Sequence, residues 1–295
     1  MGVLALLWGS SFLWIKIALT GFSPVQLAFV RTVLGAVVLV AMVHTRGQRL
    51  PGDRKVWGHL VIAAAFGNVI PFVLFAVGEQ TVDSGVAGVL NATTPLWTLA
   101  FGLVLGYERN RGATRIAGLL LGFVGTLLIF APWEKAGLAG WGALACLAAA
   151  ACYAVSYTYI GRTLSGRGLT SIQLASAQLV TASGLSLLVL PAGGLGEPHL
   201  TWQALVAIAV LGVLGTGVAF VINYRLIEDE GPTNTTSVGY LLPVVSVLLG
   251  AVFLGEGLNL RVVAGMVVVL VGVALSRKQP ATAVVPIKEP ATTLK

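Results

Sequence analysis

The sequence predicts an all-α membrane protein, with ten transmembrane helices forming two inverted five-helix repeats around a central cavity. Three observations predict it. First, with 57% hydrophobic and 10% charged residues over 295 positions and a mean hydropathy of +0.92, the chain carries more apolar surface than a soluble domain of its length encloses. Second, its apolar residues fall into ten stretches close to the roughly 20 residues needed to cross about 30 Å of hydrocarbon. Third, a pattern recurs. Pro95 precedes Glu108 of Gly106-Tyr107-Glu108, and Pro243 precedes Glu256 of Gly255-Glu256-Gly257, by the same thirteen positions. Five spans per copy make the second copy enter from the opposite face, so the repeats are inverted.

The first repeat, residues 1–131, opens with the span Val3–Leu19. It is apolar and amino-terminal like a secretory signal, but it lacks a basic start and a small-residue cleavage site and carries Trp8, Trp14 and Lys16, so a retained helix is expected. Val25–Val43 follows, then Trp57–Gly78 with Asn68, Phe72 and Phe75 at helical spacing. Gly85–Leu105 contains Pro95, and Ala113–Ala131 has Gly118, Gly122 and Gly125 for close packing. Residues 132–137 form a periplasmic connector. The second repeat, 138–275, runs Leu138–Ile160, Ser171–Leu190, Trp202–Tyr224, Thr235–Leu254 with Pro243, and Leu260–Leu275 with Gly265 and Gly272. The copies match face for face. Trp8, Ser11, Phe12 and Ile15 align with Tyr153, Ser156, Tyr157 and Ile160, and Asn68, Phe72 and Phe75 with Thr216, Phe220 and Asn223. The tail 276–295, with Pro280, Pro286 and Pro290, is expected to be a disordered cytoplasmic end.

Basic residues set the expected orientation. With a cytoplasmic amino terminus, Arg46, Arg49, Arg54, Lys55, Arg109, Arg111, Arg115, Arg162, Arg167, Arg225, Arg277 and Lys278 fall inside, and only Lys135 and Arg261 outside. Both termini are then cytoplasmic. The net charge of +7 reflects this loop bias and leaves no basic face for nucleic acid. Trp57, Trp133, Trp141 and Trp202 sit at span ends as interfacial anchors.

Polar groups inside hydrocarbon must face one another or water. Expected cavity residues are Trp8, Ser11, Phe12, Asn68, Phe72, Asn91, Trp97, Phe101, Tyr153, Ser156, Tyr157, Phe220, Asn223 and Tyr240. Each has an ordinary alternative. A serine bonds its own helix or glues two helices together, and an aromatic fills a core. Two cations lie within spans. Lys16 is near enough to a span end to snorkel. Arg31 is deeper, and its counterpart in the second repeat is Gln178. Arg31 is either a docking point for a substrate carboxylate or a structural clamp. Pro95 and Pro243 each delete a helical hydrogen bond, freeing a carbonyl near Asn91 or Gly239, and are candidate hinges.

Trp8-Gly9-Ser10-Ser11-Phe12, the stretch from Pro24 to Arg31, Pro95 to Glu108 with the glycine-rich span after it, and the repeat of that segment at Pro243 to Glu256 together resemble the drug/metabolite transporter superfamily, in its ten-helix, EamA-type branch of bacterial exporters. The resemblance covers nearly the whole chain except the tail. Within that family the chain is most similar to aromatic amino-acid exporters of the bacterial inner membrane. The resemblance implies a basket of spans 1–4 and 6–9 around the cavity, with spans 5 and 10 outside as support.

The expected function is export of amino acids and similar small metabolites, aromatic ones included, across a bacterial inner membrane by alternating access. The rival reading is efflux of hydrophobic cations. An intramembrane enzyme would need Ser10 or Ser11 with Lys16, a poor alignment on a helix, and a non-transporting scaffold leaves the polar stripes unused. No enzyme activity, cofactor or metal is expected. Cys146 and Cys152 lie six residues apart on different faces, His44, His59 and His199 are scattered, and no phosphate-binding loop occurs. All eleven carboxylates fall in loops, at span ends or in the tail, so no buried acid is expected as a proton relay. The expected partners are a small-molecule substrate and the lipid bilayer, and a monomer is compatible with the sequence.

Overall fold

The computed structural model describes residues 1–82, 84–104, 113–131, 133, 140–245, 248 and 260–277. Glu108 and Glu256, most of the connector, the loop at 105–112 and the tail beyond 277 lie outside them, as does the side chain of Phe12. Every regular element among the described residues is helical.

The first span is two helices, α1 (Gly2–Gly9) and α2 (Ser11–Ala18), where one was expected. The hydroxyls of Ser10 and Ser11 both donate to Leu7 O, at 3.1 and 2.9 Å, and such back-bonding competes with the ladder. α3 (Pro24–Thr45) leads to α4 (Arg54–Ala64), which passes through a π-helical turn (Ala65–Val69) into α5 (Ile70–Gly78). The fourth span is also divided, into α6 (Ser84–Asn91) and α7 (Thr94–Val104), because Pro95 starts a new helix. The carbonyl freed by Pro95 is occupied, since Thr94 Oγ1 donates to Asn91 O at 2.7 Å. α8 (Ala113–Phe130) follows.

The second half repeats this order. α9 (Trp141–Thr163) and α10 (Ser171–Val189) precede α11 (Trp202–Gly212), a second π-helical turn (Val213–Val218) and α12 (Ala219–Glu230). A short helix α13 (Pro232–Thr236) and a 3₁₀ turn (Ser237–Tyr240) lead into 241–245, and α14 (Leu260–Arg277) ends the described chain.

Among the described residues six helical runs are long and apolar enough to cross a membrane: Pro24–Thr45, Arg54–Gly78, Val86–Val104, Trp141–Thr163, Ser171–Ala192 and Trp202–Glu230. Gly2–Ala18, Ile116–Ile129 and Leu260–Ser276 are shorter apolar helices. The expected span Thr235–Leu254 lies partly outside the described residues. Val3, Leu13, Val37, Leu188 and Val267 leave more than half their surface exposed, as side chains solvated by lipid do. Trp141 and Trp202 are exposed at the starts of α9 and α11, whereas Trp57 is half-buried and donates to Pro51 O at 2.8 Å.

Among the helix pairs that join the halves in the described residues, two are pairs of equivalent helices. Ser23 and Gln26 form a capping box at the start of α3, and Thr170 and Gln173 form the same box 147 positions later at the start of α10. The Gln26 Nε2 group donates to Gly194 and Gly196 carbonyls beyond the end of α10. Gln173 Nε2 donates to Arg49 O beyond the end of α3, at 2.8 Å. The two helices therefore lie antiparallel. α8 and α14 do likewise, because Gly118 meets Gly272 while Gly125 meets Gly265. These contacts are backbone-close, since a Cβ on Gly125 would stand 2.6 Å from Val269 N. Small residues allow such an approach where lipid supplies no hydrophobic drive between helices.

Candidate functional site

Between the halves lies a cavity with about 890 Å³ of empty space, open solvent at its mouth included. α1 and α2 supply Trp8, Ser11 and Ile15, α3 supplies Arg31, and the α4–α5 run supplies Gly67, Phe72 and Phe75. Asn91 and Thr94 flank the break before Pro95. Opposite them stand Tyr153, Ser156, Tyr157 and Ile160 of α9, Gln178 of α10, Phe220 and Asn223 of α12, and Thr236, Gly239 and Leu242. α8 and α14 contribute no lining residue.

The two π turns shape this space. A π turn inserts a residue and loosens the carbonyl ladder, and both turns carry a glycine facing a serine from the other half. Gly67 lies against Ser156, and Gly215, 148 positions later, lies against Ser11. Released carbonyls are taken by side chains: Ser156 Oγ donates to Ala63 O at 3.0 Å, and Trp8 Nε1 donates to Gly215 O at 3.1 Å.

Each π turn is also gripped by the long polar side chain of the facing capped helix. Gln178 Nε2 donates to Asn68 Oδ1 at 2.6 Å and to Ala63 O at 3.3 Å, while its Oε1 accepts from the Tyr224 hydroxyl. Arg31 Nε donates to Thr216 Oγ1 at 3.2 Å. Its guanidinium carbon stands 3.9 Å from the centroid of the Phe72 ring, a cation–π contact. Phe72 meets Phe220 edge-on at 6.5 Å, Phe220 meets Trp8 at 6.4 Å, and Tyr153 stacks on Phe75 at 5.8 Å. The cavity wall is therefore aromatic and amide in character, with one cation.

Of the expected residues, Trp8, Ser11, Arg31, Phe72, Asn91, Tyr153, Ser156, Tyr157, Phe220 and Asn223 meet at this cavity. Asn68 stands behind it, bonded to Gln178. Trp97 and Phe101 pair with each other at 6.0 Å away from the lining. Tyr240 is fully buried against Gly122 of α8, and Lys16 is exposed on α2. Pro95 and Pro243 are buried. Gly67 and Gly215 were not expected, although their equal spacing with Asn68 and Thr216 was a usable signal.

The expectation of no buried acid needs correction. Glu79 sits at a span end, just past α5, yet is only 3% exposed. Gly78 and Gly142 bring α9 over that helix end so closely that a Cβ on Gly78 would stand 2.5 Å from Cys146 Sγ.

Comparison with known proteins agrees with the geometry. The model of the EamA-like transporter family matches residues 1–131 and 140–277. An uncharacterized inner membrane transporter of Escherichia coli, YedA, is 28% identical over 260 residues, 87% of this chain and 82% of its own. An uncharacterized transporter of Archaeoglobus fulgidus is 29% identical over 271 residues, 90% and 93% of the two chains. YdeK of Bacillus subtilis, likewise an uncharacterized transporter, is 30% identical over 272 residues, 89% and 90%. A solved crystal structure covers 93% of each chain with a TM-score of 0.74 at 23% identity, a likeness of fold.

Proposed function

The chain belongs to the EamA-like transporter family, and on that premise we propose that it exports amino acids and similar small metabolites, aromatic ones included, across a bacterial inner membrane. The observation that carries this reading is the cavity. Its wall combines aromatic faces, amides and one arginine, drawn from both halves of the chain, which suits a small solute with an apolar body and a few polar groups.

The proposed machine is ten spans in two inverted repeats, 1–131 and 138–275, that rock against each other around this cavity, with both termini cytoplasmic. Antiparallel pairing of equivalent helices, α3 with α10 and α8 with α14, supports inversion, as does a family model that matches the chain in two pieces. Trp8, Ser11, Asn91, Tyr153, Tyr157, Phe220 and Asn223 are the proposed substrate contacts. Efflux of hydrophobic cations would share the aromatic wall, but the charge on that wall is Arg31, of the wrong sign for a cation.

The test is flux of radiolabelled phenylalanine, radiolabelled threonine and a cationic dye through liposomes holding purified protein, with and without a pH gradient. Amino-acid flux is expected. Dye flux alone, driven by protons, would replace this reading with multidrug efflux.

A further inference from the structure

Among the described residues the cavity wall carries one charge, Arg31, and one orphaned acceptor, on Asn223. Arg31 is 5% exposed. Among the described residues its one hydrogen bond uses Nε, leaving the four Nη–H donors without an acceptor. No carboxylate stands among the described lining residues. Buried Glu79 acts on this charge through space but makes no hydrogen bond to it, and a buried cation without a hydrogen-bonded anion is costly.

The equivalent position in the other half shows that gripping a π turn does not require charge. Gln178 grips its own turn through Asn68, and its amide is used on both sides. A glutamine at 31 would have offered Thr216 the same donor, so the hydrogen bond to the turn does not by itself account for the charge.

The second feature is Asn223. It lines the cavity, is 4% exposed, and its Oδ1 has no hydrogen-bond partner among the described residues. It lies three residues past Phe220 and seven past Thr216, which holds Arg31. Seven helical residues span roughly 10 Å, and the Phe72–Phe220 pair stands alongside Arg31 and Asn223.

We propose that the cavity reads its ligand at two points: Arg31 binds a carboxylate through its Nη groups, and Asn223 Oδ1 accepts a hydrogen bond from a donor at the far end of an apolar or aromatic body. The α-ammonium of an amino acid adjoins its carboxylate and does not reach Asn223, so the distal donor is a side-chain hydroxyl or ring N–H. This proposal rests on the cavity being the substrate site of a transporter.

The experiment compares 3-(4-hydroxyphenyl)propionate, 3-phenylpropionate, the methyl ester of the former, and tyramine. Binding is measured calorimetrically on the full-length protein in nanodiscs, and flux in liposomes. The hydroxylated acid is expected to bind at least tenfold tighter than tyramine or its own methyl ester, and several-fold tighter than 3-phenylpropionate. In Arg31→Gln the carboxylate preference is lost while tyramine binding holds, and in Asn223→Leu only the hydroxyl preference is lost. Equal binding of acid, ester and tyramine to the unaltered protein overturns the proposal. So does an Arg31→Gln variant that weakens all four ligands equally, because that is the mark of a purely structural residue. If Arg31→Gln does not fold, the ligand series on the unaltered protein decides alone. Binding with the expected preferences but no flux sinks the transport reading and keeps the two-point site. Flux of tyramine equal to that of the acid, with equal binding, sinks the site and keeps transport.

Discussion

The two π turns are built alike and finished differently. In both, a glycine faces a serine from the opposite half, and a long polar side chain from a capped helix reaches the polar residue beside that glycine. On the Asn68 side the amide of Gln178 is used at both its ends, while Asn68 Nδ2 has no partner among the described residues. Gln178 donates twice and accepts once, so both its donors are spent. On the Thr216 side, Arg31 makes one hydrogen bond among the described residues, rests on Phe72 and lines the cavity. A repeated frame thus yields a latch in one half and, on the proposal above, a recognition point in the other, and the sharpest experiments set one against the other.

The largest expected effect is on the latch. Gln178→Leu keeps the volume but strands Asn68 Oδ1 and the Tyr224 hydroxyl, each fully or nearly buried. An unpaired buried group costs about 1–3 kcal/mol, so thermal melting of the purified variant should show a loss of about 3 kcal/mol, with every substrate affected alike. A stable Gln178→Leu protein with altered selectivity would reverse the roles assigned to the two sides.

Next in size is the contrast between the glycines. A Cβ at Gly67 would stand 2.5 Å from Ser156 Oγ and 2.9 Å from Gln178 Nε2, both of them hydrogen-bonded to Ala63 O. Gly67→Ala should therefore cost roughly 1–3 kcal/mol by overpacking. At Gly215 the nearest atom is Ser11 Oγ at 3.1 Å, and the next is at 3.9 Å. There the hydroxyl has room to rotate, and Gly215→Ala should cost under about 1 kcal/mol. Melting curves of the pair check this, and equal losses would mean that the two turns are equally tight.

These contrasts also mark what the sequence disclosed. Spacings of three and four placed Tyr153 with Ser156 and Tyr157 on a face that does meet the cavity, because the unbroken helix α9 carries a side-chain pattern faithfully. Trp8 and Ser11 meet there too, although the break at Ser10 lies between them. The π turns escaped notice because one inserted residue shifts the phase of everything after it without changing local hydrophobicity. The break before Pro95 acted similarly. Asn91 and Thr94 reach the cavity, while Trp97 and Phe101, assigned to it by type, turn elsewhere. Glu79 was legible as a span end but not as buried, since its cover is α9, more than 60 positions later. Similarly, only the structure places Asn68 one hydrogen bond behind the wall.

The smallest expected change in stability belongs to Pro95, and its interest lies in rate. Pro95 is buried at the start of α7, and the carbonyl it frees, Asn91 O, is already held by Thr94 Oγ1 at 2.7 Å. With alanine there, a main-chain N–H becomes available to Asn91 O, and α6 and α7 can join into one straighter helix. Stability should change by less than about 1 kcal/mol, because one hydrogen bond replaces another. Asn91 and Thr94 both line the cavity, so straightening moves two polar contacts and removes a bend that a rocking half can use. Reconstituted Pro95→Ala protein should reach the membrane in normal amount yet carry substrate several-fold more slowly, and an unchanged rate would leave the break as a device of shape with no part in the motion.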